Sequence, residues 1–114
     1  MTSGKKAFSL GTSTSVFVAG GSGLVGSAVV RELERRGVTQ IAAPSSKELN
    51  LLDRDQVFRY LQDAVPDLVV DAAARVGGIH ANNTYPAQFL SENLRIQVNL
   101  MDAAGDGGIE RFVF

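Results

Sequence analysis

Three glycines, Gly20, Gly23 and Gly26, with two residues between each and the next, stand between a short apolar run and the start of a helical pattern. Within Gly20-Gly21-Ser22-Gly23-Leu24-Val25-Gly26 each glycine meets a different physical need. Gly20 permits a sharp turn out of a strand. Gly23 removes a side chain where a pyrophosphate would approach the backbone. Gly26 lets a new helix pack closely on the strand. A helix opening there offers N–H groups without intrahelical acceptors, at the positive end of its dipole. The chemistry implied is anion binding. The spacing G-x-x-G-x-x-G is one residue longer in its first gap than the common dinucleotide fingerprint. A tight turn in any α/β protein is the alternative source of such glycines.

A second group able to touch a cofactor is Ala42-Ala43-Pro44-Ser45-Ser46-Lys47. After the second strand of a dinucleotide fold, an acid binds the ribose 2′-hydroxyl of NAD and repels the 2′-phosphate of NADP. No carboxylate precedes Glu48 here. Two hydroxyls and an ammonium suit a phosphate, which favours NADP over NAD. A solvated loop is the alternative.

The elements that must position these groups alternate. Val16–Ala19 is the first strand, with no polar alternation, as expected of a parallel sheet buried on both faces. Leu24–Arg36 is the first helix, with Leu24, Val25, Ala28, Val29 and Leu33 inward, Glu32 and Arg36 on the wet side, and Gly37 ending it. Gln40–Ala43 is the second strand. Asp53 caps a helix running to about Ala64, with Val57 and Leu61 inward. Leu68–Ala72 is the third strand. Residues 75–83 form a glycine-containing loop, a long helix spans about 86–104, and Arg111–Phe114 begins a fourth strand. The expected fold is α/β, a partial doubly wound parallel sheet of Rossmann type. Its expected strand order is 3-2-1-4, with the switch point between strands one and four. Residues 1–14 read as a flexible leader and 15–114 as the N-terminal portion of a dinucleotide-binding domain.

The long helix carries two apolar stripes. Leu90, Leu94, Val98 and Met101 form one; Phe89, Ile96, Leu100 and Ala103 form another, with Ser91, Glu92, Arg95, Asn99 and Asp102 on the wet side. One stripe suffices for a sheet face. The second suits either a neighbouring helix of the same chain or a second subunit. Asn93 and Gln97 lie between the stripes, where a buried amide needs partners. For both the simplest role is a structural hydrogen bond, and for Asn93 a supporting role near an active site is the second reading.

Composition narrows the classes. The net charge of −1 gives no general attraction to nucleic acid or to an anionic membrane. The chain has no cysteine, which excludes disulfides and thiolate chemistry and agrees with a reducing, cytoplasmic location. A single histidine, His80, argues against a histidine-based metal site. The apolar run near the N-terminus is broken at residues 11–15 and does not read as a signal peptide, and no stretch reads as a membrane span.

The glycine turn resembles that of the extended short-chain dehydrogenase/reductase superfamily. Three further segments resemble the GDP-L-fucose synthase family in register: 47–53 (K-E-L-N-L-L-D), 72–79 (A-A-A-R-V-G-G-I) and 81–87 (A-N-N-T-Y-P-A). The resemblance implies that Gly20–Gly26 bind the cofactor pyrophosphate. It implies that Ser46, Lys47, Glu48, Leu49, Asn50 and Leu51 lie along the adenosine, with Asn50 and Leu51 at the adenine. Ala72, Ala73 and Ala74 would leave room near the nicotinamide half, and Asn93 would help organise the active site. The implied reaction is NADP-dependent conversion of GDP-4-keto-6-deoxy-D-mannose to GDP-L-fucose, by 3,5-epimerisation and then 4-keto reduction. The long helix would join a homodimeric bundle.

Two departures stand out. Familiar members of the family have arginines where this chain has Ser22 and Ser46, and a serine lacks the fixed charge and fork of arginine. The family's serine turn, its Tyr-x-x-x-Lys pair, and its cysteine and histidine for epimerisation have no match in these 114 residues. Tyr60 and Tyr85 are followed at the lysine offset by Ala64 and Phe89. The expectation is therefore no catalytic residue in this chain and no turnover by it alone. A non-catalytic NAD(P)-binding module is the alternative function, and a segment that is not stable by itself is a third reading.

Overall fold

The computed structural model describes residues 10–73 and 87–113. Strands β1 (Ser15–Ala19), β2 (Gln40–Ala42), β3 (Leu68–Asp71) and β4 (Arg111–Val113) alternate with helices α1 (Leu24–Arg35), α2 (Arg54–Ala64) and α3 (Ala87–Asp106). All strand pairs are parallel, in the order β2-β1-β3-β4. The fold is a partial, Rossmann-like α/β sheet, as the alternation predicts.

The expected order 3-2-1-4 is corrected. β3 lies against β1, in register from Val16 with Leu68 to Ala19 with Asp71. The cause is the distribution of apolar faces. Val57 and Leu61 of α2 share one buried cluster with Leu100, Ala103 and Ala104 of α3 and with Phe17, Ala19 and Val69 of the sheet. Leu33 of α1 packs on Val16, Val18 and Leu68, on the other face. With α2 opposite α1, a right-handed crossover from β2 must return past β1 before β3 can pair. The switch point therefore lies between β1 and β3, not between β1 and β4.

The helix ends follow local chemistry. Asp53 accepts the Gln56 N–H at 3.2 Å and starts α2. At the end of α1, Gly37 takes φ 88° while Val38 N–H reaches Leu33 O and Gly37 N–H reaches Glu34 O, each at 3.0 Å. Val38 and Leu33 bury their side chains together across that stop. The same closure ends α3, where Gly108 takes φ 71° and Ile109 N–H bonds Ala104 O.

Two side-chain expectations are revised. Leu24 and Val25, placed inward by periodicity, are 88% and 63% exposed, and the buried residues of α1 are Gly26 and Leu33. Asn99, placed on the wet side, is buried and donates to the Leu51 carbonyl at 2.9 Å. Of the two stripes on α3, Leu100 and Ala103 belong to the core, with Ile96 packed beside them. Leu90, Leu94, Val98 and Met101 stay exposed. In the segment before β1, Leu10 packs on the α1-side core and Thr14 is buried.

Candidate functional site

The glycine turn occupies the C-terminal edge of the sheet at the β1/β3 switch point, where open parallel sheets bind ligands. Gly20 takes φ 76°, and a Cβ there would meet the Ala72 carbonyl oxygen and the Ala73 Cα at 2.7 Å. The end of β3 therefore braces the turn. A Cβ on Gly21 would lie 2.5 Å from the Ala43 Cβ, and one on Gly26 would run into the Gly20 carbonyl. These three positions require glycine for the protein's own packing.

Gly23 does not. It is the N-cap of α1, with φ −78° and ψ 176°, a conformation open to any residue. A Cβ there would meet only the Gly20 oxygen, at 3.4 Å. Neither backbone nor neighbours exclude a side chain. Moreover, α1 has no side-chain cap and no acid in its first turn. Among the described residues its leading N–H groups, those of Leu24, Val25 and Gly26, have no acceptor, and Ser22, Gly23, Leu24 and Val25 are exposed around them. The geometry is that of an anion cradle.

The loop after β2 forms the next wall. Ser45 and Glu48 cap one another: Ser45 N–H donates to Glu48 Oε1 at 2.8 Å, and Glu48 N–H donates to Ser45 Oγ at 3.3 Å. Sequence reading counted the Ser45 hydroxyl among the groups that suit a phosphate and missed this pairing, although S-x-x-E is its ordinary signature. Ser46 and Lys47 stand exposed at the tip, while Leu49 is buried and anchors the loop in the α2/α3 core. Asn50 Oδ1 accepts the Leu52 N–H at 3.0 Å, which fixes the turn that would face an adenine.

Ala72 and Ala73 are half-buried beside the turn. Ala74, the 75–83 loop, His80 and Tyr85 lie outside the described residues. Asn93 is half-buried on the turn of α3 preceding Gln97. Tyr60 packs its ring on Phe17 with centroids 5.4 Å apart. Burial, and then the charge of Glu48, push its phenol pKa up. A phenol so placed is a core residue and not an acid poised for proton transfer.

Sequence reading also overlooked Asp71, although an acid ending the run L-V-V-D is a visible anomaly. The residue is 5% exposed. Its Oδ1 accepts the Ala73 N–H at 3.1 Å, while Oδ2 is buried and has no partner among the described residues. Burial above all holds its carboxyl above the usual range, against the opposing effects of the Ala73 N–H and the Gln97 side chain. A cavity of about 850 Å³ lined by Leu10, Arg36, Leu68 and the β4 segment sits at the opposite end of the strands from this chemistry. Among the described residues no helix is long and apolar enough to cross a membrane, and no group of three or more His, Asp or Glu side chains could hold a metal.

A glycine turn at the switch point of a parallel, Rossmann-like sheet is the architecture of dinucleotide-binding α/β proteins. Residues 16–114 match the NAD dependent epimerase/dehydratase family, and the chain belongs to it. It is 45% identical over 102 residues to GDP-L-fucose synthase 1 of Arabidopsis thaliana, covering 90% of this chain and 32% of that protein. It is 44% identical over 99 residues to GDP-L-fucose synthase of Escherichia coli, covering 87% and 31%. The chain thus spans about a third of the length of the curated relatives it matches. Among solved structures, a GDP-mannoheptose C4 reductase from Campylobacter jejuni with NADP bound superposes with TM-score 0.83 and 28% identity, over 93% of this chain and 31% of that one. A GDP-L-fucose synthetase from Naegleria fowleri bound to NADP gives TM-score 0.76 and 25% identity, over 95% and 33%.

Proposed function

We propose that residues 15–114 are the cofactor-binding portion of an NADP-dependent enzyme acting on GDP-4-keto-6-deoxy-D-mannose. The overall reaction is epimerisation at C3 and C5, then reduction at C4, giving GDP-L-fucose. The observation that carries the reading is Gly23, a glycine that neither the backbone nor the packing requires, at the uncapped start of α1. Its missing side chain serves an incoming group. The pyrophosphate would sit on the N–H groups of Leu24, Val25 and Gly26, because the Gly23 N–H is already given to the Gly20 carbonyl at 3.0 Å. Ser46 and Lys47 would meet the 2′-phosphate, with Glu48, Leu49, Asn50 and Leu51 along the adenosine. Ala72, Ala73 and Ala74 would border the nicotinamide half. When bound, NADPH supplies the hydride for the C4 carbonyl.

No Tyr-x-x-x-Lys pair occurs in these residues, so we assign catalysis to segments outside them, with Asn93 in a supporting role. The GDP-sugar would be held there too. The exposed stripe of α3 would form a homodimer contact, and the cysteine-free composition suits a reducing cytoplasm. NADPH and NADH titrations read by thermal shift test the reading. A ligand at a hundred times its Kd stabilises the native state by about 2.7 kcal/mol. The larger shift is expected with NADPH, and no shift with either cofactor defeats the proposal. Mixing the chain with GDP-4-keto-6-deoxy-D-mannose and NADPH should leave the NADPH absorbance unchanged. Formation of GDP-fucose would overturn the assignment of catalysis elsewhere.

A further inference from the structure

We propose that Asp71 carries a proton when the dinucleotide binds, and that releasing this proton to solvent weakens binding. The inference rests on the cofactor reading above.

Asp71 ends β3 directly beside the cradle. Its Cα is in register with Ala19, the residue before the turn, so one strand spacing of about 4.8 Å separates them. The two residues after it are those that press on Gly20. Its side chain shares the sheet face of Val69, towards α3, where Gln97 lies. Two buried oxygens there have no hydrogen-bond partner among the described residues, Asp71 Oδ2 and Gln97 Oε1.

The two orphans have one economical remedy. If the Gln97 amide presents its nitrogen to an ionised carboxylate, Oε1 remains buried without a donor. If it presents its oxygen, a proton on Asp71 Oδ2 can be donated to Oε1, so that both oxygens are satisfied while Oδ1 keeps the Ala73 N–H and the Gln97 Nε2 turns to where Oε1 stood. A neutral acid also avoids burying a charge without a counter-ion.

No charged side chain among the described residues offsets an ionised Asp71. β1 has no titratable residue. On β4, Arg111 pairs with Leu68 at the far end of β3. On α3, Glu92 accepts from Gln88, Asp102 is paired with Arg54, and Arg95 is exposed. On α1 the first charge is Arg31, two turns beyond the cradle. With the charges of the described residues alone, ionisation would therefore place an uncompensated negative charge beneath the site of a pyrophosphate. By linkage, if the protonated chain binds the anion better, the complex must hold the proton more tightly than the free chain does.

The experiment compares the 114-residue chain with its Asp71→Asn variant. Kd for NADPH and NADH is measured across the range from about pH 5 to about pH 8, with the variant cancelling any titration of the ligand itself. The wild type should lose about tenfold or more in affinity relative to Asp71→Asn as pH rises. Parallel profiles in the two proteins overturn the inference while leaving the cofactor reading intact. Absence of dinucleotide binding by either protein at any pH overturns both. If Asp71→Asn does not fold, Asp71→Leu replaces it with the same expectation. A carboxyl-carbon NMR titration of the wild type gives a readout independent of ligand. A midpoint for Asp71 above the usual carboxylate range supports the inference, and one at or below that range overturns it.

Discussion

Asn99 on α3 and Leu51 in the loop before α2 are joined by a 2.9 Å hydrogen bond from side-chain amide to backbone carbonyl. This bond fastens the wall that would face the adenosine to the longest helix of the fold. It explains why an amide is buried on the polar side of a helix that periodicity alone would leave wet. Replacing Asn99 by alanine leaves the Leu51 carbonyl without its donor, at a cost of about 1–3 kcal/mol. The expected outcome is a lower melting temperature and weaker NADPH binding, with a larger relative loss for adenosine-2′,5′-bisphosphate than for pyrophosphate. Equal losses for both ligands would refute a local role for this bond.

Gly23 and Gly26 should respond oppositely to the same substitution. Gly26→Ala drives a methyl group into the Gly20 carbonyl and should destabilise the chain by about 3 kcal/mol or more. Gly23→Ala meets only an ordinary contact at an extended backbone, so stability should change by less than about 1 kcal/mol. Cofactor binding should nevertheless weaken at least tenfold. Thermal melts with and without NADPH separate the two effects, and tight binding by Gly23→Ala would remove the main support for a pyrophosphate at this turn.

Ser46 stands exposed at the loop tip, beside Lys47 and next to the Ser45–Glu48 cap. An arginine there adds a fixed charge and a two-pronged donor that a hydroxyl lacks. Ser46→Arg should raise the preference for NADPH over NADH about tenfold, through the 2′-phosphate and with little change in NADH affinity. A shift of equal size for both cofactors would place the 2′-phosphate elsewhere.

The alternation of apolar runs with helical patterns made the element sequence legible, because strand and helix periods are local properties. Asp53, Gly37 and the glycine turn were legible for the same reason: caps and turns depend on a few adjacent residues. Strand order was not. It depends on whether α2 packs on the same sheet face as α1, and that is decided by how Val57 and Leu61 meet Leu100 and Ala103 about forty residues away. The exposure of Leu24 and Val25 escaped because periodicity tells which face of a helix is apolar and not which of its turns has a neighbour to pack on. Asp71 and Gln97 are separate polar anomalies in the sequence, and only the fold brings them together.

Glu32 bonds both Arg35 and Arg36, each at 2.7 Å at its closest, on the exposed side of α1. Hydrogen bonds from Arg35 and then Arg36 hold its carboxyl down at about 2, against an ordinary 4.5. A lowered carboxyl pKa adds stability above the ordinary value and loses it as pH falls through the shifted one. The melting temperatures of wild type and Glu32→Gln should therefore differ slightly at neutral pH and converge as the pH approaches 2. Because the group is exposed, high salt should shrink the neutral-pH difference as well. A gap that persists in acid would mean that the glutamate acts through packing and not charge.

Leu90, Leu94, Val98 and Met101 recur at helical spacing on α3 and are each at least 41% exposed. The core uses the other stripe, so this one is unused within the described residues. A charge at its centre should leave the fold alone and remove self-association, because an exposed position costs the monomer little while a buried, unpaired carboxylate costs an interface heavily. Leu94→Glu should melt within about 0.5 kcal/mol of the wild-type monomer. In sedimentation velocity at matched concentration, the wild type should run as a dimer and Leu94→Glu as a monomer. A monomeric wild type would show that this stripe does not bind a second copy of the 114-residue chain.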